Sequence, residues 1–317
     1  MKITATFLDE ITDDIPSNNW GPKEWDRDFK VMKALGINTI VMIRTGHGER
    51  VAFDSKVLNR EINPLPAYRD MPKLFLELSE KYEMDFYFPT YYSNKFLAEH
   101  NFKKEAQINL DLIDEIWERY GHYRAFKGWY IVFELSCNNE HVDCVKKLAS
   151  CCKEISGNLD CLVSAKVRGP KWRRADGVLA AEIVHMDAHK QEWDIILENL
   201  KESIDSVGFM DGHCEFKDLP GYHKINSELV HKHNMSFWVN VETFDRDMPI
   251  RFPPIEWRKL RWKLESAQKI ADKIITFEFS HFLSPFSMWP SARDLFMRYC
   301  DHIGLNGQII IEEANIR

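Results

Sequence analysis

The sequence has none of the short signatures that settle a chemistry at once. It contains no CxxC pair, and its seven cysteines, an odd number, are scattered as Cys137, Cys144, Cys161, Cys214 and Cys300 around one adjacent pair, Cys151 and Cys152. Zinc knuckles and a disulfide framework are disfavoured, and reduced thiols are expected. A GxSxG elbow, a GxxxxGK[ST] phosphate loop and a GxGxxG turn are all missing, so no nucleotide cofactor and no resident metal are expected. Positive charge is scarce: 42 Lys and Arg face 49 Asp and Glu, a formal net charge of -7. A nucleic-acid partner is disfavoured, because binding a polyanion needs clustered cations to displace counterions. No apolar run approaches the ~20 residues of a membrane span. The opening MKITATFLDEITDD lacks the basic segment and apolar core of a secretory signal, so no membrane partner and a cytoplasmic location are expected. Gly/Ser linkers and low-complexity tracts are absent too, which favours one domain over residues 1–317.

What is there is a repeated alternation between short apolar, β-branched runs and longer amphipathic stretches, the pattern of parallel strands joined by crossover helices. The strands read as Ile3–Leu8, Thr39–Ile43, Asp85–Thr90, Gly128–Phe133, Cys161–Lys166, Ser206–Met210, Phe237–Val241 and Lys273–Phe277. Helical patterns begin near Glu24, Met71, Lys103, His141, Lys190, Gly221, Ile255 and Ser291. Eight rounds of this kind predict an α/β chain folded as a single (β/α)8 barrel. The segments from Gly46 to Asp70 and from Gly169 to His189 are long for βα loops and are expected on the C-terminal face. The run Gln308–Ile311 reads as an extra strand or a tail.

Catalytic groups in such barrels come from the C-terminal ends of the strands and the loops beyond them. Those ends are acidic in this chain. The first carries Asp9 and Glu10, the second Arg44, the third Tyr91 and Tyr92, and the fourth Glu134. The fifth gives Lys166 and Arg168, the sixth Asp211 and His213, the seventh Glu242, and the eighth Glu278 and His281. Like charges converging on one mouth repel and resist desolvation, so they mark function or a neutralising network with Arg44, Lys166 and Arg168. Glu134 and Glu242, on strands four and seven, can face each other across a sugar and supply the two carboxylates that glycosidic cleavage needs. Asp9, Glu10, Trp20, Arg44, Tyr91, Tyr92, Lys166, Arg168, Asp211, His213, Phe244, Glu278, His281 and Trp289 are the candidate substrate-binding residues, with Trp20 and Trp289 as stacking platforms and Trp129 and Trp172 as further aromatics. Glu134, Asp211, His213 and Glu242 also form an oxygen-rich ligand set suited to Mg²⁺ or Mn²⁺, the basis of an alternative sugar isomerase. A barrel that binds carbohydrate without turning it over is a third possibility, and Cys137 or Cys214 as a nucleophile a fourth.

Strand positions four and seven resemble the arrangement in the large barrel clan of retaining glycosidases, although Phe133 stands where that clan has Asn before its acid/base glutamate. More extensively, FLDEITDDIPSNNWGPKEWDRDF, IRTG at Ile43, YGHYRAFKGWYIVFE ending at Glu134, GFMDGH ending at His213, WVNVETF around Glu242 and TFEFSHFLSP around Glu278 resemble the glycoside-hydrolase-like barrel family DUF4434. The resemblance spans almost the whole chain and implies Glu134, Asp211, Glu242 and Glu278 as pocket residues. It implies a carbohydrate as the partner, with a small oligosaccharide or glycoside as substrate.

Overall fold

A computed structural model describes residues 2–136, 139–171, 185–246, 248, 250 and 252–316. Eight strands are its frame: β1 (Ala5–Leu8), β2 (Thr39–Met42), β3 (Asp85–Pro89), β4 (Phe126–Leu135), β5 (Asp160–Ala165), β6 (Ser206–Met210), β7 (Ser236–Glu242) and β8 (Lys273–Phe277). They pair in parallel in sequence order, and β1 closes on β8. After each comes a helix: α1 (Pro22–Leu35), α2 (Met71–Lys81), α3 (Phe102–Tyr120), α4 (Asn139–Ser156), α5 (Met186–Leu200), α6 (Leu219–Lys232), α7 (Trp257–Ala267) and α8 (Pro290–His302). The fold is the α/β (β/α)8 barrel, and all eight strands coincide with the apolar runs of the sequence.

Side chains alternate across each strand and so divide the core in two. Ala5, Phe7, Val41, Tyr87, Tyr130, Val132, Leu162, Trp238 and Ile275 fill the barrel interior. Leu8, Ile40, Met42, Phe86, Trp129, Ile131, Phe133, Val163, Phe209, Val239 and Val241 face outward and bury the apolar stripes of the helices. In α1 that stripe is Trp25, Phe29, Met32 and Leu35, all fully buried, each contributing roughly 1.5–3 kcal/mol by leaving water. The start of α1 is set by Pro22 and by Glu24, whose carboxylate accepts from the Gly21 N–H at 3.0 Å. Its end is set by Gly36, at a φ of 88° that favours glycine.

One expectation is corrected. Residues 308–311 form neither strand nor tail but part of a helix, Gly307–Asn315. The Asn306 side chain accepts from the N–H groups of Gln308 and Ile309 at 3.1 and 3.2 Å. Ile310, Ile311 and Ala314 then bury one face, so capping and packing override the strand preference of the isoleucine run. The segment from Gly46 to Asp70 is no bare loop. Gly46–His47 pairs antiparallel with Arg50–Val51 and parallel with Tyr91–Tyr92, and a helix at Lys56–Ile62 follows. Of the segment from Gly169 to His189, residues 172–184, with Trp172, lie outside the described residues, as do Cys137 and Asn138. Cys144, Cys151, Cys152, Cys161, Cys214 and Cys300 are free thiols. Among the described residues no helix is long and apolar enough to cross a membrane.

One buried acid in this frame titrates near neutrality. Asp28 of α1 has no exposed surface and accepts from Ser280 Oγ at 2.7 Å and from Ser284 Oγ at 2.5 Å. Burial, only partly offset by the two serines, pushes its carboxyl up to about 7. Because the folded value lies above the unfolded one, its stabilising contribution is complete below the ordinary aspartate value of 3.8 and is lost as pH rises toward 7. Asp28→Asn, which cannot ionise, should therefore gain stability over wild type between pH 5 and pH 8, by about 2 kcal/mol. Urea unfolding of both proteins at the two pH values reads this directly, and an equal difference at both would refute it.

Candidate active site

Alternation decides which strand-end residues reach the barrel mouth. In β4, Tyr130 and Val132 point inward, and Glu134 continues that set. In β7, Trp238 points inward with Val239 and Val241 outward, which sends Glu242 inward. Leu162 of β5 places Lys166 on the same side by the same count. A register irregularity in β4 between Ile131 and Glu134 sets Glu134 opposite Ser164, the local re-aiming that bulges provide beside functional sites.

Glu134 keeps about a third of its side chain exposed (32%) and lies among cations. Lys166 Nζ is 2.6 Å from its Oε2 and Arg44 Nη2 is 3.8 Å from its Oε1. Burial would raise the carboxyl, but the charges of Lys166, Arg44 and Arg246 outweigh it and hold it down at about 2. The guanidinium of Arg44 also donates to Thr12 Oγ1 at 2.6 Å and sits 5.6 Å from the Tyr92 ring centre. Half-buried Tyr92 and Phe277 adjoin the interior cluster.

Glu242 is only 2% exposed, and Arg246 clamps both of its oxygens, Nε at 2.8 Å and Nη2 at 2.6 Å. Burial opposes ionisation here too, yet the guanidinium, four residues along, prevails and holds the carboxyl below its usual value. Asp211 lies beside it on the outer face of the barrel. Its Oδ1 accepts from Lys263 Nζ at 2.7 Å and from the Glu242 N–H at 3.2 Å. Burial raises this carboxyl to about 6 against the pull of Lys263. A pocket beside the group is lined by Lys171, Gly212, Cys214, Phe216, Phe244 and Ile255 as well as the charged residues. Burial, then the charge of Arg246, lowers His213 to about 4, so its imidazole is neutral at pH 7.

Several expected binding residues are placed elsewhere. Tyr91 is 1% exposed, with its hydroxyl donating to Gly48 O at 2.7 Å, so it holds the β-ladder after β2. Phe244 is buried in a cluster with Phe252 and Phe282, ring centres 4.5 and 5.4 Å away. Glu278 and His281 are fully buried against each other, outward of Phe277. Glu278 Oε1 accepts from the His281 N–H at 2.6 Å and contacts the imidazole, and His281 Nε2 meets Pro16 O at 2.8 Å. Asp9 is buried and accepts from Ile11 and Thr12 N–H groups, both at 2.9 Å. Glu10 accepts from Ser17 Oγ and from Asn18 N–H at 3.1 Å, and burial raises its carboxyl. These two acids shape the loop after β1. Arg168 donates to Glu192 of α5 at 2.5 Å. Trp20 packs edge-on against Trp25 at 5.0 Å, which leaves half-buried Trp289, against Ile15, Phe244 and Phe282, as the rim aromatic. Cys214 is buried and its thiol is pushed well up by that burial, which makes it a poor nucleophile.

Two further charged residues of this group, Arg246 and Lys263, stand away from the strand ends. The first was signalled by its spacing of four from Glu242, the second by a lysine on the buried stripe of Leu260, Leu264 and Ala267. Among the described residues no group of three or more His, Cys, Asp and Glu side chains could hold a metal. The set Glu134, Asp211, His213 and Glu242 does not converge, because Asp211 points to Lys263 outside the barrel while Glu242 is clamped by Arg246.

The tight seat of Glu242 depends on Gly212. A Cβ there would lie 1.9 Å from Glu242 Oε2 and 2.5 Å from Arg246 Nε, whereas one at Gly208 would meet nothing nearer than 3.9 Å. Gly212→Ala should therefore cost roughly 1–3 kcal/mol, as overpacking does, and Gly208→Ala much less. Chemical denaturation of the pair checks this, and equal losses would mean that Glu242 is not seated against residue 212.

Comparison with known proteins fits this fold. A crystal structure from Bacteroides thetaiotaomicron, described as a candidate alpha-L-fucosidase, shares 40% identity over 96% of both chains with a TM-score of 0.92. The catalytic domain of a beta-amylase from Paenibacillus polymyxa superposes over 99% of both chains with a TM-score of 0.58 at 7% identity. An intracellular xylanase from Thermoanaerobacterium saccharolyticum covers 87% of this chain and 85% of its own, with a TM-score of 0.50 at 11% identity. At such low identity the last two report the barrel alone. No curated protein matches significantly. The profile of DUF4434, a domain of unknown function, matches residues 3–289, and the chain belongs to that family.

Proposed function

We propose that this protein is a glycoside hydrolase in which Glu134 and Glu242 are the working carboxylates. The observation that carries the reading is that both project inward from β4 and β7, and that Arg246 holds Glu242 as the anion a nucleophile must be. In a retaining sequence, Glu242 attacks the anomeric carbon while Glu134 gives a proton to the departing glycosidic oxygen. Water then attacks the glycosyl ester and returns a proton to Glu134, and the Glu242 carboxylate leaves. Arg246 orients Glu242, and the rings of Tyr92, Phe277 and Trp289 offer faces for a sugar. The 40% identical relative described as a candidate alpha-L-fucosidase supports a sugar as substrate. A small oligosaccharide or glycoside is the favoured form.

The Arg246 clamp favours a second reading, since it holds both oxygens of the proposed nucleophile. In that reading the mouth binds a sugar without cleaving it.

Nitrophenyl glycosides and disaccharides tested against wild type, Glu134→Gln and Glu242→Gln decide between the two. Under the hydrolase reading each substitution lowers kcat by about 10²–10⁴-fold. Azide restores Glu242→Ala, giving a glycosyl azide of inverted configuration, and proton NMR of the first product shows retention. A substrate whose turnover falls less than about tenfold in both glutamine variants defeats the assignment. Saturable binding with no product from any glycoside selects the second reading.

A further inference from the structure

Two buried polar side chains of α3 take no part in the mouth itself, yet both reach the segment that follows β3. Glu105 and Asn109 have no exposed surface and lie on the apolar stripe of the helix with Ala106, Ile108, Leu112 and Ile113. Polar groups are unfavourable in such a place unless their hydrogen bonds are made. Asn109 turns both ends of its amide to one residue, Oδ1 accepting from the Tyr91 N–H at 2.8 Å and Nδ2 donating to the Tyr91 carbonyl at 3.1 Å. Glu105 Oε1 accepts from the Ser93 N–H at 3.1 Å. Burial pushes this carboxyl up to about 7, and the hydroxyl and N–H of Ser93 pull it back.

The pattern is that of a strand replaced by a helix face. In an extended chain residues 91 and 93 present their N–H and C=O groups on one edge, and residue 92 on the other. The Tyr92 edge is occupied, since its carbonyl accepts from the Gly48 N–H at 3.0 Å beside the pairing of Tyr91–Tyr92 with Gly46–His47. Tyr91–Tyr92 is the outer member of that three-stranded ladder, so its second edge has no strand. Four residues of helix rise about 6 Å and two residues of strand about 6.6 Å. A polar pair at i and i+4 therefore meets residues 91 and 93 in register. Between them, Tyr92 is fixed from both sides. Its ring centre is 5.6 Å from the Arg44 guanidinium and 6.2 Å from the Phe133 ring. Burial, then the charge of Glu134, raises its hydroxyl, which sets the ring beside that carboxylate.

We propose that Glu105 and Asn109 are positioning residues, which act from the helix layer as the strand this edge lacks and hold the Tyr92 ring where a sugar packs beside Glu134. The sugar rests on the hydrolase reading, whereas the positioning does not. An amide serves at residue 109 because it both donates and accepts, as a peptide group does. Residue 105 needs only an acceptor.

Fluorine NMR of protein carrying 3-fluorotyrosine reads the ring without any ligand, the Tyr92 signal being the one lost in Tyr92→Phe. Glu105→Met and Asn109→Leu, which keep the volume and remove the hydrogen bonds, should shift and broaden that signal. Glu105→Gln keeps an acceptor for the Ser93 N–H and should give the wild-type signal. Ile113→Ala, a loss of packing on the same stripe, should leave it in place. A Tyr92 signal unmoved in both apolar variants, or moved as far by Ile113→Ala, overturns the proposal. Should neither variant fold, hydrogen exchange on wild type decides: Tyr91 and Ser93 amides as slow as those of β3 uphold the clamp, and amides as fast as those of an open edge defeat it. With a nitrophenyl glycoside that wild type cleaves, Asn109→Leu should raise KM by about five- to tenfold and lower kcat by less than about twofold. In a Tyr92→Ala background the same substitution should change KM by less than about twofold, because the ring it positions is gone. Losses that add, or a fall confined to kcat, overturn the proposal. The fluorine and exchange results stand whether or not a glycoside is cleaved, so failure of the hydrolase reading leaves the positioning decided on its own.

Discussion

Successive side chains of a β-strand leave on opposite faces, and in a closed barrel that two-residue rhythm sorts every strand-end group into the mouth or the helix layer. Glu134, Lys166 and Glu242 fall on one side of the division, Asp211 and Glu278 on the other. The acids therefore have two different lives. Outward ones are sealed under helices and ion-paired there, Asp211 with Lys263 and Glu278 with His281. Inward ones lie among cations, Glu134 partly exposed beside Lys166 and Glu242 buried under Arg246.

Two anions in one sparsely hydrated mouth repel unless cations separate them. Arg246 does so for Glu242 and Lys166 with Arg44 does so for Glu134. Both carboxyls are thereby held below their ordinary values. A neutral His213, its proton kept away by burial and by Arg246, adds a polar edge without disturbing that balance. Burial raises both adjoining carboxyls; at Asp211 it prevails over Lys263, with the charge of Glu242 adding to the rise, whereas at Glu242 Arg246 prevails over it.

The barrel was legible in the sequence because parallel strands buried on both faces read as unbroken apolar runs, and each run was followed by an amphipathic helix. That Glu134 and Glu242 close their strands was legible by position. Asp211, Glu278 and Tyr91 look equally good when strand ends are merely counted, and only the phase of alternation separates them. Counting back from Phe277 would have turned Glu278 outward. Arg246 and Lys263 were harder to see, since one lies in a loop and the other on a helix, away from the strand ends where catalytic groups are sought. The helix at Gly307–Asn315 was hidden by three consecutive isoleucines whose local preference is for a strand.

The join between β1 and β8 is the thinnest in the barrel wall: Ala5 faces Ile275 and Thr6 faces Thr276, against six facing pairs between β4 and β5. Around it the chain adds cross-ties, from Ile3 N–H to the Tyr299 hydroxyl at 2.7 Å, from Phe279 N–H to Thr6 Oγ1 at 3.0 Å, and from Lys30 to the Glu313 carbonyl at 2.6 Å. Such a wall is a cylinder closed by a laced seam rather than by a continuous weld. Its slowest amide protons belong on the β4–β5 side, and thermal breathing begins along the lacing, beneath the loop that Glu10 holds at the lip of the mouth.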